Sequence, residues 1–206
     1  MKRSARAICT ALNAILLGSL TTGCAGVITA PPAPNDKAAE IYLLYHSPHT
    51  SLAIPRESGG MVRYKYCDWR WCVQGRRHLP SGTAALLWPT QSGLGRGEHP
   101  EVNSKDDLDK LAPEGITRLY PLKADAEKAR ALKQRLDALF SQAEAQATHN
   151  EEFAMTFVPH ARGYWLAHQS NLLIAQWLRE MGFQVRSYPL LLAWRIDTVE
   201  RETDDE

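Results

Sequence analysis

Two stretches of the chain carry a helical rhythm of apolar and polar positions. In His168–Gly182, Leu173, Ile174, Trp177, Leu178 and Met181 recur at three- and four-residue steps, the period of a helix that buries one face. Gly182 suits the left-handed residue that closes such a helix. At its front, Ser170 and Asn171 both have side-chain oxygens able to cap free backbone N–H groups. A nucleophile at the same corner would meet the positive end of the helix dipole and free amides. Cap and nucleophile remain alternatives for Ser170 on this pattern. The second stretch opens at Asp125 and runs to about Ala147. Ala129, Leu132, Leu136, Leu139, Phe140 and Ala143 form its stripe, as expected of an amphipathic helix lying on a sheet.

Short apolar runs predict strands at Ile41–Tyr45, His49–Ile54, Ala84–Trp88 and Ile116–Leu122, a half-buried strand with its exit loop over Met61–Cys72, and one or two more strands in the segment after Gly182. In the second of these, alternation puts His49, Ser51 and Ala53 on one face and Thr50, Leu52 and Ile54 on the other. Gly59-Gly60 marks a turn. Thr90–Pro100 reads as a loop, its GLGRG glycines taken as flexibility, because a phosphate-binding loop needs a strand before and a helix after. Ser104 is placed to cap a short helix, KDDLDKL.

The first residues follow a different logic. Lys2, Arg3 and Arg6 precede an apolar run from Ala7 to Leu20, then small residues before Cys24. That order is a secretory signal, too short for a comfortable membrane span. Ending on Gly-Cys, it resembles a bacterial lipoprotein signal in which Cys24 is lipidated. Ordinary cleavage to a free periplasmic protein is the alternative. Ala25 after the cysteine points to the outer membrane, with the domain facing the periplasm. The expected organisation is signal peptide 1–23, proline-rich tether 24–39, one α+β domain 40–199 and an acidic tail 200–206.

The 206 residues carry 24 basic and 23 acidic side chains, so the composition offers no basic stripe for nucleic acid. Export permits a disulfide between Cys67 and Cys72, but only if the chain folds back between them. On a straight strand they diverge, and two buried thiols are the other possibility. The seven histidines are scattered without the spacing of a zinc set, so neither metal nor cofactor is expected. Trp69 and Trp71 sit in an aromatic cluster suited to a binding groove, though core packing is the commoner use.

Four motifs bear a resemblance. They are Tyr45-x-x-Pro-His49-Thr-x-Leu-x-Ile-Pro55, Tyr66-x-Asp68-Trp69-x-Trp71, Leu86-Leu-Trp-Pro-Thr-x-Ser-Gly-Leu-Gly-Arg96 and Asn171-x-x-x-Ala-x-x-Leu-x-x-x-Gly182. Together they resemble an uncharacterised family of exported bacterial proteins, itself similar to circularly permuted papain-like enzymes of the NlpC type. The resemblance implies a small antiparallel sheet packed on a central helix, with a base histidine at a strand start and a cysteine opening the helix. By position, His49 takes the base, Asn171 the asparagine beside the nucleophile, and Ser170 the place of the cysteine. Asp68 is the choice for the polar residue that orients His49, with Tyr66 and Arg63 as alternatives.

The serine matters physically. A thiol ionises near pKa ~8.5 and is easily activated beside a histidine, whereas a hydroxyl needs a well-aligned base and an orienting third group. The first expectation is therefore a degenerate cleft, with Asn171, Trp69 and Trp71 holding a peptide, peptidoglycan fragment or acyl group. The alternatives are an active hydrolase or acyltransferase using Ser170 and His49, and a structural envelope protein. The distance between Ser170 Oγ and the His49 ring discriminates them.

Overall fold

The computed structural model describes residues 26–31, 37–46, 49–77, 87–186 and 194–197. The expected signal peptide, Cys24 and the expected acidic tail lie outside them.

Alternating apolar residues build a seven-stranded, wholly antiparallel sheet. Its strands are β2 (Ala38–Tyr45), β3 (Thr50–Pro55), β4 (Met61–Asp68), β5 (Thr90–His99), β6 (Arg118–Asp125), β7 (Thr148–Asn150) and β8 (Met155–Tyr164), in the order β6-β2-β3-β4-β5-β8-β7. A separate three-stranded sheet joins β1 (Val27–Thr29) to β10 (Arg195–Asp197) in parallel and to β9 (Gln184–Arg186) in antiparallel. The helices are α1 (Trp69–Cys72), α2 (Ala126–Gln142) and α3 (Ser170–Glu180). The class is α+β, with mostly antiparallel sheet and few helices.

One face of the large sheet presents Leu52, Ile54, Val62, Tyr64, Tyr66 and Leu94 to the apolar stripes of α2 and α3, forming the main core. Within it Trp177 is 1 % exposed, and Ile174 and Leu178 are fully buried. The opposite face carries Tyr42, Leu44, Ala53 and Met61 under the 3₁₀ segment Lys105–Leu111. Burial on both faces explains why β4 has no exposed alternation, although its sequence reads as a half-buried strand.

Both predicted helices form. Asp125 caps α2, accepting the Glu127 and Lys128 amides at 3.0 Å, and Gly182 follows α3 with φ +92°. Three sequence expectations need correction. Thr90–His99 is a central strand, not a loop. Gly93, Gly95 and Gly97 fall on one face at alternate positions, where a Cβ on Gly95 would meet the Phe157 ring at 2.4 Å and one on Gly93 would meet Trp69 at 3.1 Å. These glycines provide room for aromatic rings crossing the strand. The strand expected at Ala84–Trp88 is not seen at its described end: Leu87 and Trp88 are 59 % and 67 % exposed, and residues 84–86 lie outside the description. Finally, the tether expected at 24–39 is partly folded. Val27–Thr29 pairs on both sides and Ile28 is fully buried, because β-branched Val-Ile-Thr suits a strand.

Candidate functional site

The His46 amide donates to the His49 carbonyl at 2.7 Å, one step beyond the Tyr45↔Thr50 pair that joins β2 to β3. His49 is therefore held at the very start of β3. The antiparallel order brings the end of β4, the start of β5 and the end of β8 to the same edge of the sheet. The loop from β8 then returns Ser170 to this edge, pinned by reciprocal backbone bonds between Trp165 and His168 at 3.2 and 2.9 Å.

Ser170 is not the cap of α3. Gln169 holds that position, and its Oε1 accepts the Asn171 amide at 2.8 Å. Ser170 is the first helical residue, with its hydroxyl 3.2 Å from His49 Nδ1 and 3.4 Å from Gln169 Oε1. The cap needed an oxygen within reach of the second amide, and glutamine supplied it from a longer side chain than the residues usually favoured there. The choice between cap and His49 partner is thereby resolved.

Burial, followed by the field of Lys65, pulls the His49 pKa down to about 4. Its ring is neutral at pH 7 and can accept a proton. Trp71 stands edge-on to it, with ring centroids 6.1 Å apart. Behind the serine, burial pushes the Tyr164 phenol up to about 12, while the Ser170 hydroxyl and amide act to lower it. Tyr164 therefore stays protonated beside the first amide of α3. Thr50, next to His49, is fixed by the Trp194 indole N–H donating to its hydroxyl at 2.9 Å.

Asp68 does not orient His49. One carboxylate oxygen accepts the Trp71 amide at 2.9 Å and caps α1, and the other accepts the Thr90 hydroxyl. The strand ends at Asp68 and the chain turns into α1, which takes the carboxylate away from the histidine. Tyr66 donates instead to backbone carbonyls near Arg162, with His168 Nδ1 at 2.9 Å. Among the described residues no carboxylate bonds the His49 ring.

Arg63 lies in a buried polar layer on the other face of the sheet. Its guanidinium donates to Ser51 Oγ at 2.9 Å, to the Leu111 carbonyl at 2.9 Å and to Glu114, and it contacts His46 Nε2 at 3.0 Å. Lys65 Nζ is 3.0 Å from the same Glu114 carboxylate and 4.0 Å from the Phe153 ring centroid. Burial raises the Glu114 carboxyl, but the Arg63 bonds and both cations outweigh it and hold its pKa down to about 2. Two cations on one carboxylate leave a positive field beneath His49.

The expected binding residues separate. Asn171 is fully buried in the first turn of α3. Trp69 lies over Gly93 as packing, leaving Trp71 beside His49. Cys67 and Cys72 are bonded, because the single turn of α1 folds the chain back and sets their Cα atoms 6.3 Å apart. Sequence reasoning overlooked Gln169, Tyr164, Lys65 and Trp194. Gln169 alone had a local signal, a hydrogen-bonding side chain two residues before the Asn171 amide it accepts.

Comparison with protein-family models, curated proteins and solved structures finds no match.

Proposed function

We propose that this is a permuted NlpC-type, papain-like domain of the bacterial cell envelope in which Ser170 is an acyl-accepting nucleophile and His49 its base. The observation that carries the reading is the 3.2 Å contact between His49 Nδ1 and Ser170 Oγ at the first residue of a packed helix. In this reaction Ser170 Oγ attacks a carbonyl carbon while its proton passes to His49 Nδ1. The oxyanion develops at the N-terminus of α3, where the Tyr164 O–H, whose oxygen accepts from the Ser170 amide, supplies a donor and the helix dipole favours negative charge. The carbonyl–leaving-group bond then breaks, and the leaving group takes the proton from His49. Water or an acceptor nucleophile releases the acyl group from Ser170 by the reverse sequence.

The substrate class is an ester or amide of a peptide, peptidoglycan fragment or acyl group, presented to a domain held at the envelope through Cys24. The residue pair works without a metal or organic cofactor. A fluorophosphonate probe is the direct test. Labelling of the folded chain that is lost in Ser170→Ala supports the nucleophile. A folded wild-type chain that never labels overturns it.

The complete burial of Ser170 and the capping duty of Asp68 favour a second reading, a degenerate cleft that binds the same ligands without chemistry. In that case Ser170→Ala leaves ligand binding unchanged and the probe marks nothing.

A further inference from the structure

The four large apolar side chains exposed most among the described residues are Leu87, Trp88, Trp165 and Leu166, at 59 %, 67 %, 39 % and 39 %. They are neighbours in the fold. Leu87 and Trp88 lead into β5, Trp165 and Leu166 leave β8, and these strands pair there through Thr90↔Tyr164. Pro89 closes the gap, since a Cβ on Gly163 would meet its Cβ at 3.0 Å. A contiguous apolar surface rich in tryptophan is uncommon on a soluble face and marks a site of contact. It lies beside Tyr164, at the sheet edge that carries His49 and Ser170.

The path of the chain points to what covers it. The Gly26 carbonyl accepts the Arg195 amide at 2.9 Å, and the neighbouring Trp194 bonds Thr50, the residue after His49. Cys24 stands two residues before Gly26. Because β1 is folded into the domain, hardly any tether remains between the cysteine and the His49 end. An acyl chain on Cys24 would hold this end close to the bilayer. Arg162, three residues before Trp165 in the chain, is exposed, and a cation near interfacial tryptophans suits headgroup phosphates.

We propose that the His49–Ser170 end of the domain is a membrane-docking surface, with Leu87, Trp88, Trp165 and Leu166 seated in the bilayer interface. The site is then turned toward molecules borne by that bilayer, which narrows its substrates to acyl-bearing ones. This rests on the envelope reading above, but docking is measurable without chemistry at Ser170.

The test uses the chain from residue 24 onward with Cys24→Ser, which removes the lipid and leaves the surface to act alone. The probe is a vesicle of phosphatidylethanolamine mixed with phosphatidylglycerol, some acyl chains being bromine-labelled. Co-sedimentation and quenching of tryptophan fluorescence are expected for this protein and equally for its Ser170→Ala form. Trp88→Ser combined with Trp165→Ser is expected to bind about tenfold or more weakly, with an unchanged circular dichroism spectrum because both side chains are exposed. Absence of vesicle binding, or equal binding by the double variant, overturns the proposal. So does self-association abolished by the same double variant, which would assign the surface to a second copy. Failure of fluorophosphonate labelling with vesicle binding intact would remove the chemistry and keep the docking.

Discussion

His46 and His49 face each other across one hairpin, and each ring lies on a serine hydroxyl. His46 Nε2 is 2.9 Å from Ser51 Oγ, and His49 Nδ1 is 3.2 Å from Ser170 Oγ. By distance alone the first pair is the better one. Its surroundings remove it from chemistry. Ser51 Oγ also accepts the Arg63 Nε–H, and His46 Nδ1 is engaged by the Gly115 carbonyl at 2.7 Å. Both partners are locked in a buried ion cluster. Ser170 opens a helix instead, and its histidine keeps one ring nitrogen clear of other bonds among the described residues. A Ser–His contact therefore becomes a candidate nucleophile through what surrounds it: a phenol donor, a helix dipole and a base not committed elsewhere.

The sharpest way to separate the pairs is reactivity. His49→Ala is expected to slow fluorophosphonate labelling by roughly 10²–10⁴-fold, the usual worth of a positioned base. Ser51→Ala should label at nearly the wild-type rate once its folding is verified. A Ser51→Ala chain that loses the label while Ser170→Ala retains it would reverse the assignment.

The His46 side should answer to stability. Glu114→Gln leaves Arg63 and Lys65 buried with their shared carboxylate gone, and chemical denaturation is expected to show a loss of about 3–5 kcal/mol. A loss below about 1 kcal/mol would mean that the layer is far better solvated than its burial indicates.

Acid should affect the two histidines in sequence. Burial lowers His49 to about 4 and, with Arg63 and Lys65, His46 to about 3. Both are neutral when folded and take up protons readily when unfolded, so stability is full above the ordinary histidine pKa of ~6.5 and declines as pH falls toward the folded values. Labelling, which needs neutral His49, should lose its rate in an acid limb near pH 4. A limb near the ordinary histidine value would show that His49 is solvated.

The smallest effect tests the cap. Gln169→Ala should cost about 1 kcal/mol of stability. If labelling falls much further than stability does, the Ser170 hydroxyl has turned inward to cap the helix, and Gln169 is what keeps it pointed at His49. Unchanged labelling would make Gln169 a cap only.

Much of this organisation was legible in the chain. Leu173 to Met181 and Ala129 to Phe140 announce their helices by period alone, and Asp125 and Gly182 mark their ends. The alternation in Thr50–Ile54 places Ser51 and Leu52 on opposite faces, as found. Thr90–His99 was misread because its glycines look like breakers to any local rule. Their function is visible only once Phe157 and Trp69 are seen crossing them. Asp68 was similarly misassigned, since nothing local shows that the strand ends there and that the carboxylate is used by the Trp71 amide and Thr90.

The sequence by itself determined the two helices, the main strands, and His49 and Ser170 as residues to compare. Those follow from periodicity and residue type, which act over a few neighbours. Tertiary structure alone decided that 121 positions of separation close to a hydrogen bond, that Gln169 and not Ser170 caps α3, and that Cys67 and Cys72 meet. It also brought the start of β1, the exposed tryptophans and the His49 edge to one end of the fold. Each depends on strand order and on side chains distant in sequence, and no local pattern carries that information.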